Sequence, residues 1–242
     1  GEPTANKQFM PLVEHYCNDK EAEYQSIHMT TNLSPGPIWW DKYIHNTKSL
    51  QRRSVTASFH AEFADEKKFG DTCLQLMEGG VYVTINQVMV PQMFEELYER
   101  LERFAARGIN VTLKPQSDPT ASHVVHGYTE DQITILRQGF PQQVYGEQLA
   151  QVALYDAKGN EYEIDQAERF NAFGFNKFQG WECNAGYQGI IIRDTEVRRS
   201  HSCHDDILGT TTGGFEIFKQ PKPCITPSCM SSADSKLPKR KI

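Results

Sequence analysis

The sequence predicts an α/β protein: a βα barrel or open parallel sheet, followed by a small, hairpin-rich region that carries four cysteines. Helical and strand patterns alternate from residue 8 to residue 116. Because a helix must return the chain between parallel strands, this alternation indicates a parallel sheet. After residue 117 the pattern changes to short hairpins. We therefore expect a first domain at residues 1–140 and a second domain at residues 141–242.

Hydrophobic spacing and turn residues predict the elements of the first domain. Apolar residues recur at i, i+3, i+4 and i+7, the spacing of one helix face, at Phe9, Leu12, Val13 and Tyr16. Runs rich in β-branched residues predict strands, and glycine or proline ends them. The predicted strands are Gln25–Thr31, Ser54–His60, Val81–Val90 and Ile109–Lys114. Further helices are predicted near Trp39 and Trp40, at Glu66–Glu78, from Phe94 to Phe104 and at Tyr128–Leu136.

Polar residues stand at the predicted carboxyl ends of these strands. In barrels and open α/β sheets the active surface lies at that edge. The residues expected there are Thr31 and Asn32, Ser58 and His60, Asn86 and Gln87, and Lys114 and Gln116. His60, Lys114 and Gln116 fit generic rim polarity better than a specific catalytic role. Trp39 and Trp40 fit core packing better than a substrate entrance.

The second domain reads as two hairpins and a loop-rich tail. One hairpin is predicted from Glu147–Tyr155 and Glu161–Ile164 about the turn at residues 156–159, and another from Gly189–Asp194 and Val197–Ser202. The segment Lys236–Ile242 is basic, and we interpret it as a solvated end.

Composition restricts the class of protein. The 242 residues carry a formal net charge of −6, which argues against a nucleic-acid partner. No apolar run is long enough to cross a bilayer, so the sequence predicts a soluble protein without membrane partners. Six cysteines without a secretory signal favour a reducing, cytoplasmic location and metal or catalytic use of the thiols.

The cysteines of the last quarter have the spacing of a metal site. Cys183 and Cys203 flank the second predicted hairpin, and Cys224 and Cys229 bracket a four-residue turn. Zinc sites usually contain two close pairs, whereas a cubane cluster takes one thiolate at each of its irons. Spacing alone leaves iron–sulfur and zinc both open. We interpret His201 and His204 as exposed hairpin residues rather than as metal ligands. We interpret Cys17 and Cys73 as small, buried apolar residues rather than as functional thiols.

The chain resembles the carboxyl-terminal part of a radical S-adenosylmethionine enzyme with a twitch- or SPASM-like auxiliary-cluster domain. Gly1-Glu2-Pro3 is similar to the family's Gly-Gly-Glu-Pro motif without its first glycine. The strand-end segments at residues 30–32, 58–60 and 86–88 recur where this family lines its barrel. Cys183-Asn184-Ala185-Gly186, then Cys203, then Cys224 and Cys229 look like the cysteine pattern of the extension.

This resemblance implies a partial (β/α)6 barrel that binds S-adenosylmethionine. Gly1 and Glu2 would meet the amino group of its methionine moiety, and Ser58 and Asn86 would lie near its carboxylate or ribose. The auxiliary [4Fe–4S] cluster would be held by Cys183, Cys203, Cys224 and Cys229. The reaction would be a radical-based modification or oxidation of a small-molecule or peptide substrate, served by an electron-donor protein.

One departure from the family pattern is serious. The Cys-x3-Cys-x2-Cys loop that holds the cofactor-cleaving cluster is not in this sequence. That loop precedes the Gly-Gly-Glu-Pro strand in the family, so we expect the chain to be an amino-terminally truncated fragment that is inactive alone. The alternative is a non-catalytic α/β scaffold or interaction protein with a zinc ion on the four cysteines.

Overall fold

The chain divides into two compact units. The computed structural model describes residues 2–19, 26–116, 127–140, 154–162, 174, 176–203, 206–229, 231–235 and 237–242, with Glu161, Tyr162 and Ser232 described by their backbone alone. Unit 1 comprises Gly1–Lys114 and Thr129–Gly146, and unit 2 comprises Pro115–Tyr128 and Glu147–Ile242.

Unit 1 is built on a four-stranded parallel sheet in which strands adjacent in sequence are adjacent in space. The strands are β1 (Ser26–Thr31), β2 (Arg52–Ser58), β3 (Tyr82–Met89) and β4 (Asn110–Pro115). The helices are α1 (Phe9–Asn18), α2 (Pro37–Thr47), α3 (Glu66–Glu78), α4 (Phe94–Ala106) and α5 (Glu130–Gln138). Short 3-10 turns lie at Pro3–Ala5 and Pro91–Met93. The predicted α/β fold with a parallel sheet is confirmed.

Local sequence signals define where the helices begin. Asp65 caps α3, because its carboxylate accepts a 2.7 Å hydrogen bond from the Lys68 N–H. Thr129 and Gln132 form a reciprocal capping box at the start of α5. These caps place α3 and α5 at the positions that the sequence predicts.

The core of unit 1 lies between the apolar face of the sheet and the helices. Val55 and Ala57 on β2, and Val83 and Ile85 on β3, are buried at alternate positions, as the period of a strand requires. The helices contribute the largest fully buried side chains, which include Trp40, Tyr43, Leu76, Phe94, Leu101 and Phe104.

The apolar face predicted for α1 is buried only in part. Leu12 is 62% exposed and Tyr16 is 37% exposed, whereas Met10 and Val13 are buried. A 3.4 Å contact joins the Met10 sulfur to Asn46 Nδ2 on α2. The helix packs on α2 through Met10 and Val13, and this packing directs Leu12 to solvent.

Unit 2 contains two small sheets. The four-stranded sheet is antiparallel and contains β8 (Ile191–Arg193), β9 (Glu196–Arg198), β10 (Ile207–Thr210) and β11 (Gly214–Phe215), in the order β11-β10-β9-β8. The mixed sheet contains β5 (Leu154–Tyr155), β6 (Glu161–Tyr162), β7 (Glu182–Cys183), β12 (Lys222–Pro223) and β13 (Lys239–Arg240), in the order β12-β7-β13-β5-β6. A short helix, α6, spans Ser232–Ser235.

Both predicted hairpins are present in unit 2. Strand β5 pairs with β6 and strand β8 pairs with β9, each in antiparallel register. The outer parts of the first predicted hairpin, residues 147–153 and 163–164, lie outside the described residues. None of the helices in the described part of the chain has the length and apolar character needed to cross a membrane.

The burial of two leucines predicts different losses of stability when each is replaced by alanine. Leu101 is fully buried on α4, so Leu101→Ala should lower the free energy of unfolding by about 2–5 kcal/mol. Leu12→Ala removes the same atoms from an exposed site and should change it by less than about 0.5 kcal/mol. Urea denaturation of both variants measures the difference, and equal losses would contradict the assigned core.

Candidate metal centre and cofactor-binding face

The four cysteines of the carboxyl-terminal region are all buried in unit 2. Their exposed fractions are 5% for Cys183, 6% for Cys203, 6% for Cys224 and 5% for Cys229. Three of them, Cys183, Cys224 and Cys229, belong to one apolar cluster that also contains Leu154, Phe178 and Ala185. The thiols are therefore shielded from water rather than displayed on the loop surface.

Strand pairing brings Cys183 and Cys224 into this cluster. Cys183 ends β7, which lies between β12 and β13. Cys224 follows β12 directly, and its N–H donates a 2.7 Å hydrogen bond to the Trp181 carbonyl. The pairing of β7 with β12 thus joins two cysteines that are far apart in sequence.

Backbone hydrogen bonds also hold the other two cysteines. The Cys203 N–H donates to Ser200 Oγ at 3.0 Å, within the turn that follows β9. Cys229 exchanges two hydrogen bonds with Asn176: its N–H donates to the Asn176 carbonyl at 2.8 Å, and its carbonyl accepts from Asn176 Nδ2 at 2.6 Å. Each cysteine backbone is therefore anchored independently of any bound metal.

Burial and nearby charges shift the pKa values of two of these thiols. Burial raises the pKa of Cys203, and the neighbouring Cys224 and Cys183 thiols raise it further, whereas Ser200 and Arg199 act in the opposite direction. Burial also raises the pKa of Cys229, and the Lys239 ammonium opposes that rise. On balance the pKa of both thiols lies above its usual value.

A buried guanidinium connects the loops that carry these thiols. Arg199 is 2% exposed, and its Nη2 donates to the Lys222 and Pro223 carbonyls at 3.1 and 3.0 Å. Its Nε donates to the Ala185 carbonyl at 3.1 Å, and its Nη1 pairs with Asp206 at 3.1 Å. One side chain therefore ties the segment after Cys183, the turn around Cys203 and the strand before Cys224 together.

A second buried cation lies beside Cys229. Lys239 is 1% exposed, and its ammonium donates to the carbonyls of Asp234 at 2.6 Å and Leu237 at 2.9 Å. The same ammonium lies 4.9 Å from the centre of the Phe178 ring. Buried charges need partners, and these contacts stabilise the ammonium where it also favours a thiolate at Cys229.

Three of the sulfurs have a polar atom within about 4 Å. The Ala185 N–H approaches Cys183 Sγ at 3.5 Å, Thr226 Oγ1 lies 3.4 Å from Cys224 Sγ, and Ser202 Oγ lies 3.7 Å from Cys229 Sγ. Cys224 Sγ also lies 3.8 Å from the Thr226 carbonyl oxygen, to which its S–H donates.

Cysteine sulfur is a common donor to zinc and to iron–sulfur clusters. Among the described residues, no three or more His, Cys, Asp or Glu side chains are grouped at the spacing of a metal-ion site. His201 is exposed at the surface, and His204 lies outside the described residues. The assignment of the four cysteines as ligands thus stays a prediction.

The two remaining cysteines lie in the helices of unit 1. Cys73 is fully buried in α3, and burial raises the pKa of its thiol to about 12. Cys17 is half-buried in α1, and burial raises its pKa too. Neither thiol is in unit 2, so both serve as internal controls for the thiol chemistry of that unit.

Polar side chains line the face of the parallel sheet opposite its apolar core. His28 lies opposite Ser54 and Ser54 opposite Tyr82, and a 3.0 Å hydrogen bond from Asn110 Nδ2 to the Tyr82 hydroxyl continues this row into β4. Two further rows toward the carboxyl ends of the strands contain Thr30, Thr56 and Thr84, then Ser58 and Asn86. The predicted pair Ser58 and Asn86 therefore shares one face and one register position.

Buried oxygen atoms on this face lack partners. Thr84 Oγ1, Asn86 Oδ1 and Asn110 Oδ1 are buried and make no hydrogen bond within the described part of the chain. An unsatisfied buried polar atom costs about 1–3 kcal/mol. A polar ligand that donated hydrogen bonds to these oxygens would recover part of that cost.

Glu2 is fixed at the carboxyl end of β1. Its Oε1 accepts from the Thr4 N–H at 3.0 Å, the Thr4 hydroxyl at 2.6 Å and the Thr31 hydroxyl at 2.7 Å, and its Oε2 accepts from the Asn32 N–H at 2.7 Å. Burial raises the pKa of this carboxyl, but the hydrogen bonds from Thr4, Asn32 and Thr31 outweigh burial and hold the pKa below its usual value. Oε2 accepts one hydrogen bond from the described residues, so it can accept a further donor. The predicted partner Gly1 lies outside the described residues.

The other predicted strand-end residues separate into different environments. His60 is exposed and lines a cavity of about 380 Å³ with Asn32, Phe63 and Lys68. Gln87 is buried, and its Nε2 donates to the Val88 carbonyl. Gln87 lies on the face of the sheet opposite that of Asn86, because successive strand residues point to opposite faces.

The remaining predicted positions carry little evidence of a ligand role. Lys114 is half-buried at the end of β4, and Gln116 is exposed in unit 2 with its N–H donating to the Tyr128 hydroxyl at 2.7 Å. Trp40 is fully buried, and Trp39 stacks on Tyr43 with ring centres 5.9 Å apart. Trp40 therefore packs in the core of unit 1, and the half-buried Trp39 packs at its edge.

Sequence reasoning missed three groups that define these two sites. His28 contacts Ser54 Oγ at 2.8 Å and Thr56 Oγ1 at 3.3 Å on the polar sheet face. The alternation of polar residues along β1, β2 and β3 is the signal that predicts such a face. Arg199 and Lys239 carry no comparable signal, because their partners are backbone carbonyls.

Comparison of the chain with protein-family models, with curated protein sequences and with solved structures gives no match.

The Arg199 contacts predict a large effect of one substitution. Arg199→Met removes the cation from three carbonyls and from Asp206, so it should lower the free energy of unfolding by about 3–5 kcal/mol. Arg240→Met removes a surface ion pair with Glu182 in the same unit and should cost less than about 1 kcal/mol. Guanidinium denaturation followed by near-ultraviolet circular dichroism measures both variants. A loss in Arg199→Met no larger than that in Arg240→Met would refute the role of Arg199.

Proposed function

We propose that the chain is part of a radical S-adenosylmethionine enzyme, in which unit 1 binds the cofactor and unit 2 holds an auxiliary [4Fe–4S] cluster. The finer architecture proposed for unit 1 is a partial (β/α)6 barrel whose inner surface is the polar sheet face. The substrate would be a small molecule or a peptide, and an electron-donor protein in the cytoplasm would supply reducing equivalents. The resemblance of the sequence motifs suggests this class, and the geometry of both units supports it.

The observation that carries the proposal is the burial of four thiols beside two buried cations. Thiolates that bind a metal or cluster leave a net negative charge, and a buried charge is costly unless nearby groups offset it. Arg199 acts on Cys203, and Lys239 acts on Cys229. Buried cations beside the buried thiols therefore support a bound metal or cluster.

The proposed cofactor site rests on Glu2 and on the polar sheet face. Glu2 is ionised at neutral pH and has one free acceptor position on Oε2, which suits the ammonium of an amino acid moiety. Asn86 Oδ1 is a buried acceptor without a partner in the described part of the chain, and Ser58 lies opposite it. Hydroxyl groups of a ribose would supply donors to such oxygens.

S-adenosylmethionine, when bound, would supply the carbon radical. The residues of this chain would bind its ammonium, orient its ribose and exclude water from the polar face. The 242 residues contain no Cys-x3-Cys-x2-Cys loop. We therefore propose cofactor binding and an auxiliary cluster for this chain, and no cleavage of the cofactor by these residues alone.

A zinc-stabilised, non-catalytic scaffold is the alternative function. Four thiolates are also the ligand set of structural zinc sites, and such a site would fasten the short strands of unit 2. Metal content separates the two functions, because zinc protein is colourless and contains no sulfide.

Cys224→Ser tests the proposed cluster. After anaerobic reconstitution with iron and sulfide, the variant should lose more than about half of the bound iron and the charge-transfer absorption, because a cubane needs a ligand at each iron. Cys17→Ser removes a half-buried thiol from unit 1 and should retain the iron content of the unaltered protein.

Two outcomes contradict this assignment. Equal iron content in Cys224→Ser and Cys17→Ser would remove Cys224 from the ligand set. One tightly bound zinc per chain, with no incorporation of iron and sulfide, would favour the scaffold.

Glu2→Gln tests the proposed cofactor site. The amide keeps an acceptor for Thr31 but loses the charge, so S-adenosylmethionine should bind about tenfold or more weakly in calorimetry. Glu78→Gln makes the same change at an exposed position at the end of α3 and should leave the affinity unaltered. Equal affinity of the two variants would rule out recognition of the ammonium by Glu2.

A further inference from the structure

A cationic pocket lies on the outer face of the β8–β9 hairpin in unit 2. It encloses about 220 Å³ and is lined by Ile191, Arg193, Arg198, Ser200 and His201. Residues two apart along a strand share a face, so Arg193 and Ile191 on β8 lie on the same side as Arg198 on β9, which is opposite Ile191 in register. The buried residues of this hairpin, Val197 and Arg199, occupy the alternate positions.

The two arginines of the pocket differ in whether a carboxylate neutralises them. Glu196 accepts hydrogen bonds from the Arg198 guanidinium and neutralises that cation. Arg193 lies opposite Glu196 in register, yet its guanidinium makes no hydrogen bond or ion pair with the described residues. His201 adds an exposed imidazole at the rim. The pocket therefore retains an unneutralised guanidinium, although the whole chain has a net charge of −6.

The wall of this pocket touches one of the proposed cluster ligands. Ser200 lines the pocket, and its Oγ accepts a 3.0 Å hydrogen bond from the Cys203 N–H. A ligand in the pocket would therefore be separated from Cys203 by one side chain.

We propose that this pocket binds an oxyanion, the phosphate or carboxylate group of a small substrate, and holds it beside Cys203. Guanidinium presents paired N–H donors whose geometry matches phosphate and carboxylate oxygens. The hydroxyl of Ser200 and the imidazole of His201 are further polar groups at the same site. The volume of the pocket is smaller than that of a typical site for a drug-sized ligand, so it fits one anionic group of a substrate.

The placement of the anion beside a cluster rests on the proposed function of unit 2, whereas binding of the anion itself requires only the hairpin. Oxyanion binding and cluster assembly can therefore be tested separately, because anion binding is measured without metal and cluster assembly is measured without anion.

The test is a nuclear magnetic resonance titration of the isotope-labelled full chain. Sodium phosphate and sodium succinate are added separately, and sodium chloride at matched ionic strength is the control. The amide signals of residues 191–201 should shift and saturate with at least one of the two oxyanions and not with chloride. The oxyanion that saturates at the lower concentration distinguishes a phosphate ligand from a carboxylate ligand.

Arg193→Gln provides the decisive variant, because the residue is exposed and its loss leaves the buried face of the hairpin intact. The dissociation constant for the preferred oxyanion should rise about tenfold. Lys219→Gln removes an exposed positive charge from the same unit and should change it less than about twofold. Arg193→Lys, which keeps the charge and loses the paired donors, should bind with intermediate affinity.

Shifts that grow linearly with all three salts, or equal affinity in Arg193→Gln and Lys219→Gln, would overturn the proposal. Saturable binding that Arg193→Gln weakens, in a protein that fails to assemble iron and sulfide, would keep the oxyanion site and overturn its placement beside a cluster.

Discussion

The buried guanidinium of Arg199 is the interaction on which the organisation of unit 2 depends. Several strands of unit 2 are only two residues long, and they supply too few ladder hydrogen bonds to fix the loops between them. Arg199 compensates because it binds carbonyls of Ala185, Lys222 and Pro223 and the carboxylate of Asp206. Those acceptors adjoin Cys183, Cys224 and Cys203, so the same residue that stabilises the unit also arranges its thiols.

The two units contain different kinds of candidate binding site. Unit 1 presents a regular polar face, because strand periodicity separates its apolar residues from its hydroxyl and amide groups. Unit 2 contains buried sulfur atoms beside the buried cations Arg199 and Lys239. A polar face with unpartnered acceptors and a shielded thiol cluster are different environments, and an enzyme that used a charged organic cofactor and a metal cluster would need both.

Local pattern predicted the elements of unit 1 closely, and tertiary contacts decided the rest. The predicted and observed bounds of α3 are both Glu66–Glu78, because a cap and a glycine pair delimit that helix. The buried face of α1 depended on packing against α2, which periodicity did not specify. The cysteines were visible in the sequence, but Arg199 was not, since its carbonyl acceptors lie 14 to 24 residues away along the chain.

Electron paramagnetic resonance of the reduced, anaerobically reconstituted chain tests the central claim most directly. If the four buried thiols of unit 2 bind a cubane cluster, reduction should produce the signal of a [4Fe–4S] centre, in proportion to bound iron and sulfide. A protein that takes up zinc in place of iron, and gives no such signal after reduction, would contradict the account.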